Sequence, residues 1–450
     1  MYEPVRLLIV GAGGRGSTYA DYTLTHPGQG VVVGVAEPDP VRRQALVERH
    51  NIPAAHVYAD WQLALAAPRF ADAAVIATQD NMHVEPVERA AAQGYHLLLE
   101  KPMAPDEEGC RRIVAAAETN GVMLGVCHVL RYTVYTQALK SILNAGTIGE
   151  IVSVEHLEPV GFWHQAHSFV RGNWRNEAQS SPMLLQKSCH DVDWLRYVVG
   201  QPCEQVSSFG SLKHFRREDQ PAGAADRCPD CPAEVENNCP YSAKRYYLIQ
   251  LDEGHTGWPL NVLTPEPTRD TVLGALRDGP YGRCVYACDN DVVDHQVVNF
   301  QFTRGATASF TMTAFTRARG RETRIFGTRG ELYGDSQMIR VYDFMTGETT
   351  ELDTEISSDG SILSGHGGGD DGLMQAFLAA VAQNNPALIL SGPQETLESH
   401  LMVFTAESAR KSGQVQHINP VDTGSFLASM HPARSPFLNQ QDADSGSTTG

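Results

Sequence analysis

Basic residues are scarce in this chain, and long hydrophobic runs are missing from it. Among 450 residues, lysine and arginine total 35 against 53 acidic residues, for a formal net charge of -18 at pH 7. Nucleic-acid affinity depends on neutralising phosphates with basic side chains, so no nucleic-acid partner is expected. No apolar run is long enough to span a bilayer, and the N-terminal apolar run is too short for a signal peptide. We therefore expect a cytoplasmic protein with no membrane partner.

Cysteine usage does not fit a disulfide framework. The chain has nine cysteines, and without a secretory signal these are expected to be thiols or metal ligands. Internal repeats are also missing. The chain is longer than a single ordinary domain, so two domains are expected, each with its own core.

The first informative motif is GAGGRG, between Gly11 and Gly16. It follows an apolar run from Val5 to Val10 and precedes a helical pattern, which gives a strand, a loop and a helix. In such a unit Gly11 permits the tight turn, Gly13 lets a pyrophosphate approach the backbone, and Gly16 lets the helix pack against the strand. A glycine-rich turn without a ligand is the alternative, and the combined pattern favours the dinucleotide site.

A second apolar run, residues 31–36, stops at Glu37. An acidic residue about twenty positions after the glycines typically hydrogen-bonds the adenosine ribose hydroxyls. Glu37 therefore predicts NAD, because a carboxylate there would repel the extra phosphate of NADP. Arg42 and Arg43 lie nearby in sequence and weaken that inference.

Strand and helix patterns alternate through residue 127 and predict a doubly wound parallel sheet. Longer runs rich in valine, threonine and phenylalanine then follow and predict a mixed or antiparallel sheet. The predicted fold class is α/β, with a Rossmann domain over residues 1–127 and a substrate-binding and oligomerisation domain over 128–418. The second domain carries a Cys- and Pro-rich insertion at about 212–283. A flexible tail is predicted for residues 419–450.

Three stretches together, the glycine loop, ATQDNMHVEPVERAAAQG and HLLLEKPMA, resemble the Gfo/Idh/MocA family of oxidoreductases. This family is named for glucose-fructose oxidoreductase and inositol dehydrogenase, and the resemblance spans residues 5–418. It implies a Rossmann domain, then an α/β domain whose large open sheet is mostly antiparallel and often forms the interface of a homo-oligomer, a dimer or tetramer here. The cofactor-binding residues it implies are Gly11, Gly13, Gly14, Arg15, Gly16, Glu37, Thr78, Asn81, His83, Glu100, Lys101 and Pro102.

The resemblance also implies where the chemistry lies. The lysine of E-K-P, Lys101, would lie beside the nicotinamide and contact the hydroxyl being oxidised, and the histidine of a D-x-x-x-H stretch would act as acid or base. Here that stretch reads QKSCH, so His190 matches while Gln186 replaces the usual aspartate, and Lys187 is added. The predicted catalytic residues are Lys101, His190 and Lys187. A structural histidine at 190, and a salt bridge from Lys187 to Asp191 or another acid, remain open.

The segment GFWHQAHSFVRGNWRN mixes aromatic and basic residues without a helix or strand period. Aromatic faces stack on sugar C–H surfaces, while arginine and histidine bond hydroxyl or acid groups. Packing in a core is the alternative. The predicted carbohydrate-binding residues are Trp163, His164, His167, Arg171, Trp174 and Arg175.

The insertion contains RCPDCPAEVENNC, which supplies Cys228, Cys231 and Cys239. A C-x-x-C pair followed by a third thiol fits tetrahedral zinc, with Cys284 as the fourth ligand. Reduced structural thiols, an oxidisable pair and an iron-sulfur centre remain open. The Cys-Pro pattern resembles a subgroup near the aminocyclitol-pathway dehydrogenases, in which the insertion is structural.

The function that this pattern predicts is NAD-dependent oxidation of a hydroxyl group on a sugar, glycoside or cyclitol. Three alternatives stay open. One is a glycoside-cleaving enzyme that retains its NAD and uses transient oxidation at C3 to drive elimination. The others are a non-catalytic NAD sensor and a scaffold, against which the presence of Lys101 and His190 argues.

Overall fold

Two β-sheets organise the chain in the computed structural model, which describes residues 2–354 and 367–418. The strands of the first sheet are β1 Val5–Val10, β2 Gly30–Ala36, β3 Val57–Tyr58, β4 Ala73–Ile76, β5 His96–Leu99 and β6 Leu124–Val126. Those of the second are β7 Ile151–Pro159, β8 Cys203–Ser211, β9 His295–Phe302, β10 Thr307–Thr313, β11 Glu322–Gly327, β12 Gly330–Gly334, β13 Met338–Asp343, β14 Thr349–Asp353 and β15 Gln416–His417. The tail predicted for 419–450 lies outside the described residues.

Helices connect and cover these strands. In chain order they are α1 Gly14–Thr25, α2 Pro40–His50, α3 Trp61–Ala64, α4 Val84–Ala92, α5 Glu107–Thr119, α6 Val134–Asn144, α7 Phe162–His164, α8 Met183–Gln186, α9 Cys189–Val199, α10 Ala233–Glu236, α11 Ala243–Asp252, α12 Leu260–Leu263, α13 Arg269–Asp278, α14 Gly369–Gln383 and α15 Pro393–Ser412. A π-helical stretch covers Gln165–Arg171.

The first sheet is parallel throughout and has the strand order β3-β2-β1-β4-β5-β6. This is the doubly wound order, which reverses between β1 and β4 and opens a crevice at the carboxyl ends of those strands. Local sequence sets the helices between them. Asp106, for example, caps α5 by accepting a hydrogen bond from the Gly109 N–H at 2.7 Å. The predicted Rossmann sheet is confirmed.

The second sheet has the order β14-β13-β12-β11-β7-β10-β9-β8-β15. Only β7 and β10 pair in parallel within it, so the sheet is mostly antiparallel, as predicted. Burial alternates along β9 and β10, because one face of the sheet packs on α9 and α15 while the other faces outward. On that outward face Phe209 is 64% exposed and lies opposite Val297, which is 37% exposed.

A long connection joins β8 to β9, which are neighbours in the second sheet. It carries α10 to α13 and has a small core of its own around Tyr247, Leu260 and Leu276. The predicted insertion falls within this connection.

The described residues through Ile418 form one compact unit by their internal contacts. The division into two domains at residue 127 stays a prediction. Within residues 2–354 and 367–418, no helix is both long enough and apolar enough to cross a membrane.

Candidate functional site

The glycine loop between β1 and α1 leaves room for a ligand at two of its glycines. Gly11 has φ +92°, and a Cβ there would lie 2.5 Å from the Ala77 oxygen. A Cβ on Gly16 would lie 1.9 Å from the Gly11 oxygen, so both positions require glycine for the fold itself. A Cβ on Gly13 or Gly14 would meet nothing within 4 Å. The open space therefore lies at the N-terminus of α1, where free N–H groups favour a phosphate, and the loop fits a dinucleotide.

Glu37 directly follows β2, and its carboxylate is hydrogen-bonded to that loop. Its Oε2 accepts a hydrogen bond from the Ala12 N–H at 2.6 Å, and its Oε1 accepts one from the Asp39 N–H at 2.9 Å. The side chain of Arg43 donates to the main-chain oxygen of Glu37. The carboxylate is thus held at the rim of the crevice, and the guanidinium of Arg43 is engaged with the backbone.

Glu100 fixes the turn that follows β5. Its Oε1 accepts from Arg15 Nε at 2.7 Å and from the Tyr19 hydroxyl at 2.6 Å, while its Oε2 accepts from the Lys101 N–H at 2.8 Å. Burial alone would raise the pKa of Glu100, but Arg15 and Lys101 lower it below its ordinary value. Arg15 also pairs with Asp370 at the start of α14. Glu100 and Arg15 therefore hold the glycine loop and the E-K-P turn together.

The segment after β4 is joined to the same turn through His83. This buried ring lies 3.0 Å by its Nδ1 from the Pro102 oxygen and 3.2 Å by its Nε2 from the Thr78 oxygen. Asn81, on the short turn between Thr78 and His83, is exposed. The predicted cofactor-binding residues after β1, β2, β4 and β5 thus share one crevice through these contacts.

Lys101, which follows β5 of the first sheet, contacts the segment after β7. Its Nζ donates to the main-chain oxygen of Gln186 at 2.8 Å. The Gln186 side chain donates to Asp80, so the residue that replaces the usual aspartate joins the lysine to the 78–83 turn. His190 lies in the first turn of α9, directly after this joint, and is buried. The structure therefore joins Lys101 to the segment that leads into the helix of His190.

Buried histidines lie around the segment that contains Gln186 and His190. The ring of His128 lies 5.8 Å from that of His190 and 5.6 Å from that of His400. Burial, offset in part by Asp193, lowers the pKa of His128 to about 3, and burial lowers that of His400 to about 4. Both are neutral near pH 7, so they contribute no positive charge beside Lys101.

Lys187 forms a salt bridge with an acidic residue, which was the alternative to a catalytic role. The partner is not Asp191. Its Nζ lies 3.0 Å from Glu158 Oε1 on β7, and Glu158 also pairs with Arg321 at 3.0 Å. Asp191 instead pairs with Arg321 and His156. Burial alone would raise the pKa of Asp191, but Arg321 and His156 hold it well below its ordinary value. Sequence reasoning missed Glu158 and Arg321, because strand pairing alone brings them to this point.

The predicted carbohydrate-binding residues fall into different surroundings. Burial and, after it, the charge of Lys187 hold the pKa of His164 well below its ordinary value. Arg171 is buried and donates to the oxygens of Arg283 and Tyr241, at 2.7 and 2.8 Å. It therefore fastens the β8–β9 connection rather than lining an open pocket.

The remaining members of that set also have protein partners. The Nδ1 of His167 lies 2.6 Å from the Tyr247 hydroxyl, and Arg175 pairs with Asp289 at 2.8 Å. Trp174 is 41% exposed and packs near Phe169. Trp163 and His164 are half-buried, and their rings lie 5.5 Å apart.

The four cysteines predicted as metal ligands line one cavity of about 20 Å³. Their grouping was predicted correctly, but the structure does not support zinc: among the described residues, no group of three or more His, Cys, Asp or Glu is arranged to hold a metal ion. Cys228 accepts a hydrogen bond from Arg171 at 3.5 Å, and Cys284 accepts one from Gln220 at 3.8 Å. Burial raises the pKa of the Cys239 and Cys284 thiols.

The chain matches the models of both domains of one oxidoreductase family. Residues 5–128 match its NAD-binding Rossmann fold, and residues 140–416 match its C-terminal alpha/beta domain. A solved levoglucosan dehydrogenase in complex with NADH and L-sorbose has a TM-score of 0.66 at 17% identity, and the alignment covers 93% of this chain and 100% of that one. That likeness shows a shared fold.

Curated relatives match over shorter stretches. An inositol 2-dehydrogenase of Ralstonia nicotianae is 35% identical over 196 residues, 43% of this chain and 53% of the relative. A 2,7-anhydro-N-acetylneuraminate hydratase of Escherichia coli is 30% identical over 161 residues, 35% of this chain and 42% of the relative. The chain thus spans about half the length of these two relatives.

Proposed function

The chain belongs to the Gfo/Idh/MocA oxidoreductase family, and from this premise we propose that it oxidises a hydroxyl group of a sugar, glycoside or cyclitol with NAD. One observation carries the proposal. The Lys101 Nζ lies 2.8 Å from the main-chain oxygen of Gln186, so the cofactor crevice and the turn between α8 and α9 beside His190 form one site. The relatives named for inositol and levoglucosan support this substrate class.

The residues around the crevice fit the cofactor. The open space at Gly13 and the N-terminus of α1 would receive the pyrophosphate, and Glu37 would bond the ribose hydroxyls. Bound NAD supplies the acceptor for a hydride from the carbinol carbon. Thr78, Asn81 and His83 would border the same crevice.

In this proposal the protein holds the substrate hydroxyl and receives its proton. Lys101 contacts the hydroxyl and takes the proton, and His190 serves as the second acid or base. The main-chain oxygen of Gln186 orients the lysine, and its side-chain amide cannot itself transfer a proton. Arg321 and His156 fix Asp191 behind His190, which holds the first turn of α9 in place.

We expect NAD to bind more tightly than NADP, and Glu37→Ala to narrow that difference. The substitution removes charge-assisted hydrogen bonds to the ribose, each worth about 1.5–3 kcal/mol, so NAD affinity should fall about 10- to 100-fold while NADP affinity changes less. Calorimetric titration of both cofactors measures the effect. Asp39→Ala is the matched control, because that nearby carboxylate only caps α2. Equal or tighter binding of NADP by the unmodified protein would refute the assignment.

A second candidate function, redox-neutral glycoside cleavage, is favoured by a second group of proton-transfer residues. The Lys187–Glu158 ion pair directly follows the contact between Lys101 and Gln186, and the charge of Lys187 acts on the neutral ring of His164. A ketone at C3 would acidify the C2 proton, and one of these bases would remove it while the C1–O bond breaks. Water would then add at C1, a proton would return to C2, and reduction at C3 would restore the hydroxyl. The hydratase relative is consistent with elimination and hydration chemistry in such a protein.

Heavy water separates the two functions. We expect phenyl β-D-glucopyranoside, incubated with the protein and NAD in D₂O, to give stoichiometric NADH with an intact glycosidic bond if net oxidation is correct. Phenol release, deuterium at C2 and no net NADH would establish cleavage instead. Tight NAD binding without either outcome, across sugars, glycosides and cyclitols, would favour an NAD sensor.

We also propose a homo-oligomer, a dimer or tetramer, formed through the outward face of the second sheet. The exposed pair Phe209 and Val297 supports this. Light scattering on Phe209→Asp and unmodified protein tests it, with dissociation expected in the variant.

A further inference from the structure

The peptide group that joins Pro102 to Met103, directly after Lys101, is hydrogen-bonded on both sides by buried histidines. Its carbonyl oxygen lies 3.0 Å from the Nδ1 of His83, the residue directly before α4. Its N–H donates to the Nε2 of His400 on α15, also at 3.0 Å. We call His83 and His400 the histidine clamp.

The two rings have opposite hydrogen-bonding roles in the clamp. The Nδ1–H of His400 donates to the Thr396 oxygen at 2.8 Å, one turn earlier on α15, so its Nε2 carries the lone pair that accepts from Met103. The Nδ1 of His83 faces the carbonyl oxygens of Pro102 and Met103, at 3.0 and 3.1 Å, and can only donate to them. One peptide group is therefore held by a donor at its oxygen and by an acceptor at its N–H.

Neither ring is accessible to a cofactor or a substrate. His83 is 0% exposed and His400 is 1% exposed. A side chain with no accessible surface can influence a bound ligand only through the groups that it contacts. The clamp therefore acts on the crevice through the peptide group that follows Lys101, and not by touching a ligand.

This peptide group closes one end of the turn that carries Lys101. At the other end, the Lys101 N–H donates to Glu100 Oε2 at 2.8 Å. Proline has no N–H, so the next backbone donor after Lys101 is that of Met103, which the clamp holds. From this fixed backbone the Lys101 side chain extends to the main-chain oxygen of Gln186 at 2.8 Å. A shift of the turn would move the amino group away from that position.

From this geometry we infer that His83 and His400 are positioning residues for Lys101, which hold the backbone of its turn so that the amino group lies at the substrate hydroxyl. The inference rests on the proposed function, which assigns proton transfer to Lys101. Misplacing a reacting group by about 1 Å can cost about 100-fold in rate. Loss of either hydrogen bond should therefore lower kcat more than it changes KM or NAD affinity.

Asparagine and glutamine separate positioning from packing, because their amides reach different atoms of the replaced ring. An asparagine amide takes the place of Nδ1, and a glutamine amide takes the place of Nε2. His83→Asn therefore keeps a donor for the Pro102 oxygen, and His400→Gln keeps an acceptor for the Met103 N–H. His83→Gln and His400→Asn lose these bonds.

The rates of NADH formation from myo-inositol and phenyl β-D-glucopyranoside compare the four variants. We expect kcat to fall about 10- to 100-fold in His83→Gln and His400→Asn, and at most about threefold in His83→Asn and His400→Gln. A purely structural role would not distinguish the two amides in opposite senses at the two positions. Calorimetric NAD titration of each variant should give nearly the affinity of the unmodified protein.

His96→Gln is the matched control. The Nδ1 of His96 accepts from the Met123 N–H at 3.0 Å, a bond of the same kind as that of His400. His96 begins β5, however, and the crevice lies at the carboxyl ends of the strands. The variant should lower the melting temperature and leave kcat unchanged. Equal rates in all four clamp variants, or a loss in His96→Gln as large as that in His400→Asn, would overturn the inference.

Hydrogen exchange at the Lys101 amide, measured on the NAD-loaded protein, gives a readout that does not depend on turnover. Neither histidine bonds that amide, so its exchange reports whether the clamp acts on Lys101. Exchange should be faster in His83→Gln and His400→Asn and unchanged in His96→Gln. If neither substrate is oxidised while exchange shows this pattern, the proposed oxidation fails for these substrates and the clamp's hold on Lys101 stands. Unchanged exchange in both clamp variants would refute the positioning role.

Discussion

Replacing Lys101 by methionine is expected to reduce turnover by at least about 10²–10⁴-fold, the usual contribution of one general acid or base, and by more if this lysine also orients the substrate. Methionine keeps much of the side-chain length and removes the amino group. NAD affinity should remain nearly unchanged, because Lys101 Nζ bonds Gln186 rather than the glycine loop. Initial rates and calorimetric NAD titrations on the same preparation separate the two effects.

Lys140→Met is the matched control for this experiment. Lys140 also donates to a main-chain oxygen at 2.8 Å, that of Tyr197, but on α6 and outside the proposed site. Its loss should change the melting temperature more than the rate. His190→Ala should cost less turnover than Lys101→Met. Near-normal turnover in the Lys101 variant would place the chemistry elsewhere.

The second large effect is expected from a pair of substitutions in the glycine loop. Gly13→Val should fold normally, since Gly13 has an ordinary extended backbone and a Cβ there meets nothing within 4 Å. It should nevertheless weaken NAD binding about 100-fold, because the new side chain occupies the space for the pyrophosphate and removes charge-assisted bonds. Gly16→Ala should instead destabilise the fold by about 1–3 kcal/mol, since its Cβ would lie 1.9 Å from the Gly11 oxygen.

Thermal melting without cofactor and calorimetry with NAD distinguish these outcomes. Gly28→Ala, at an open glycine in the turn before β2, is the control and should change neither quantity. If Gly13→Val bound NAD as tightly as the unmodified protein, the pyrophosphate could not lie over this loop.

The first sheet and its crevice could largely be predicted from sequence, because their determinants are local. The glycines, Glu37 and the E-K-P turn each stand at the carboxyl end of an apolar run, and parallel strands bring such ends to one edge. Contacts between distant segments could not be predicted. The pairing of Lys187 with Glu158, rather than with nearby Asp191, follows from how β7 packs against α8 and α9.

The aromatic and basic segment after β7 shows the same limit. Its composition indicated a pocket, but composition does not tell which side chains the β8–β9 connection will cover. Arg171 and His167 became anchors because Tyr241 and Tyr247 contact them across 70 and 80 residues of sequence. Cysteine spacing, likewise, indicated a cluster but could not fix the geometry of its thiols.

The β8–β9 connection leaves the second sheet at one hairpin end and returns to the same end, where Ser211 pairs with His295. The sheet register is therefore set outside the connection, and lengthening or replacing such a loop costs little closure entropy. An exchange of this one segment between related proteins would leave the cofactor crevice and Lys101 as they are. The connection and the reaction chemistry are in this way open to separate engineering by loop grafting.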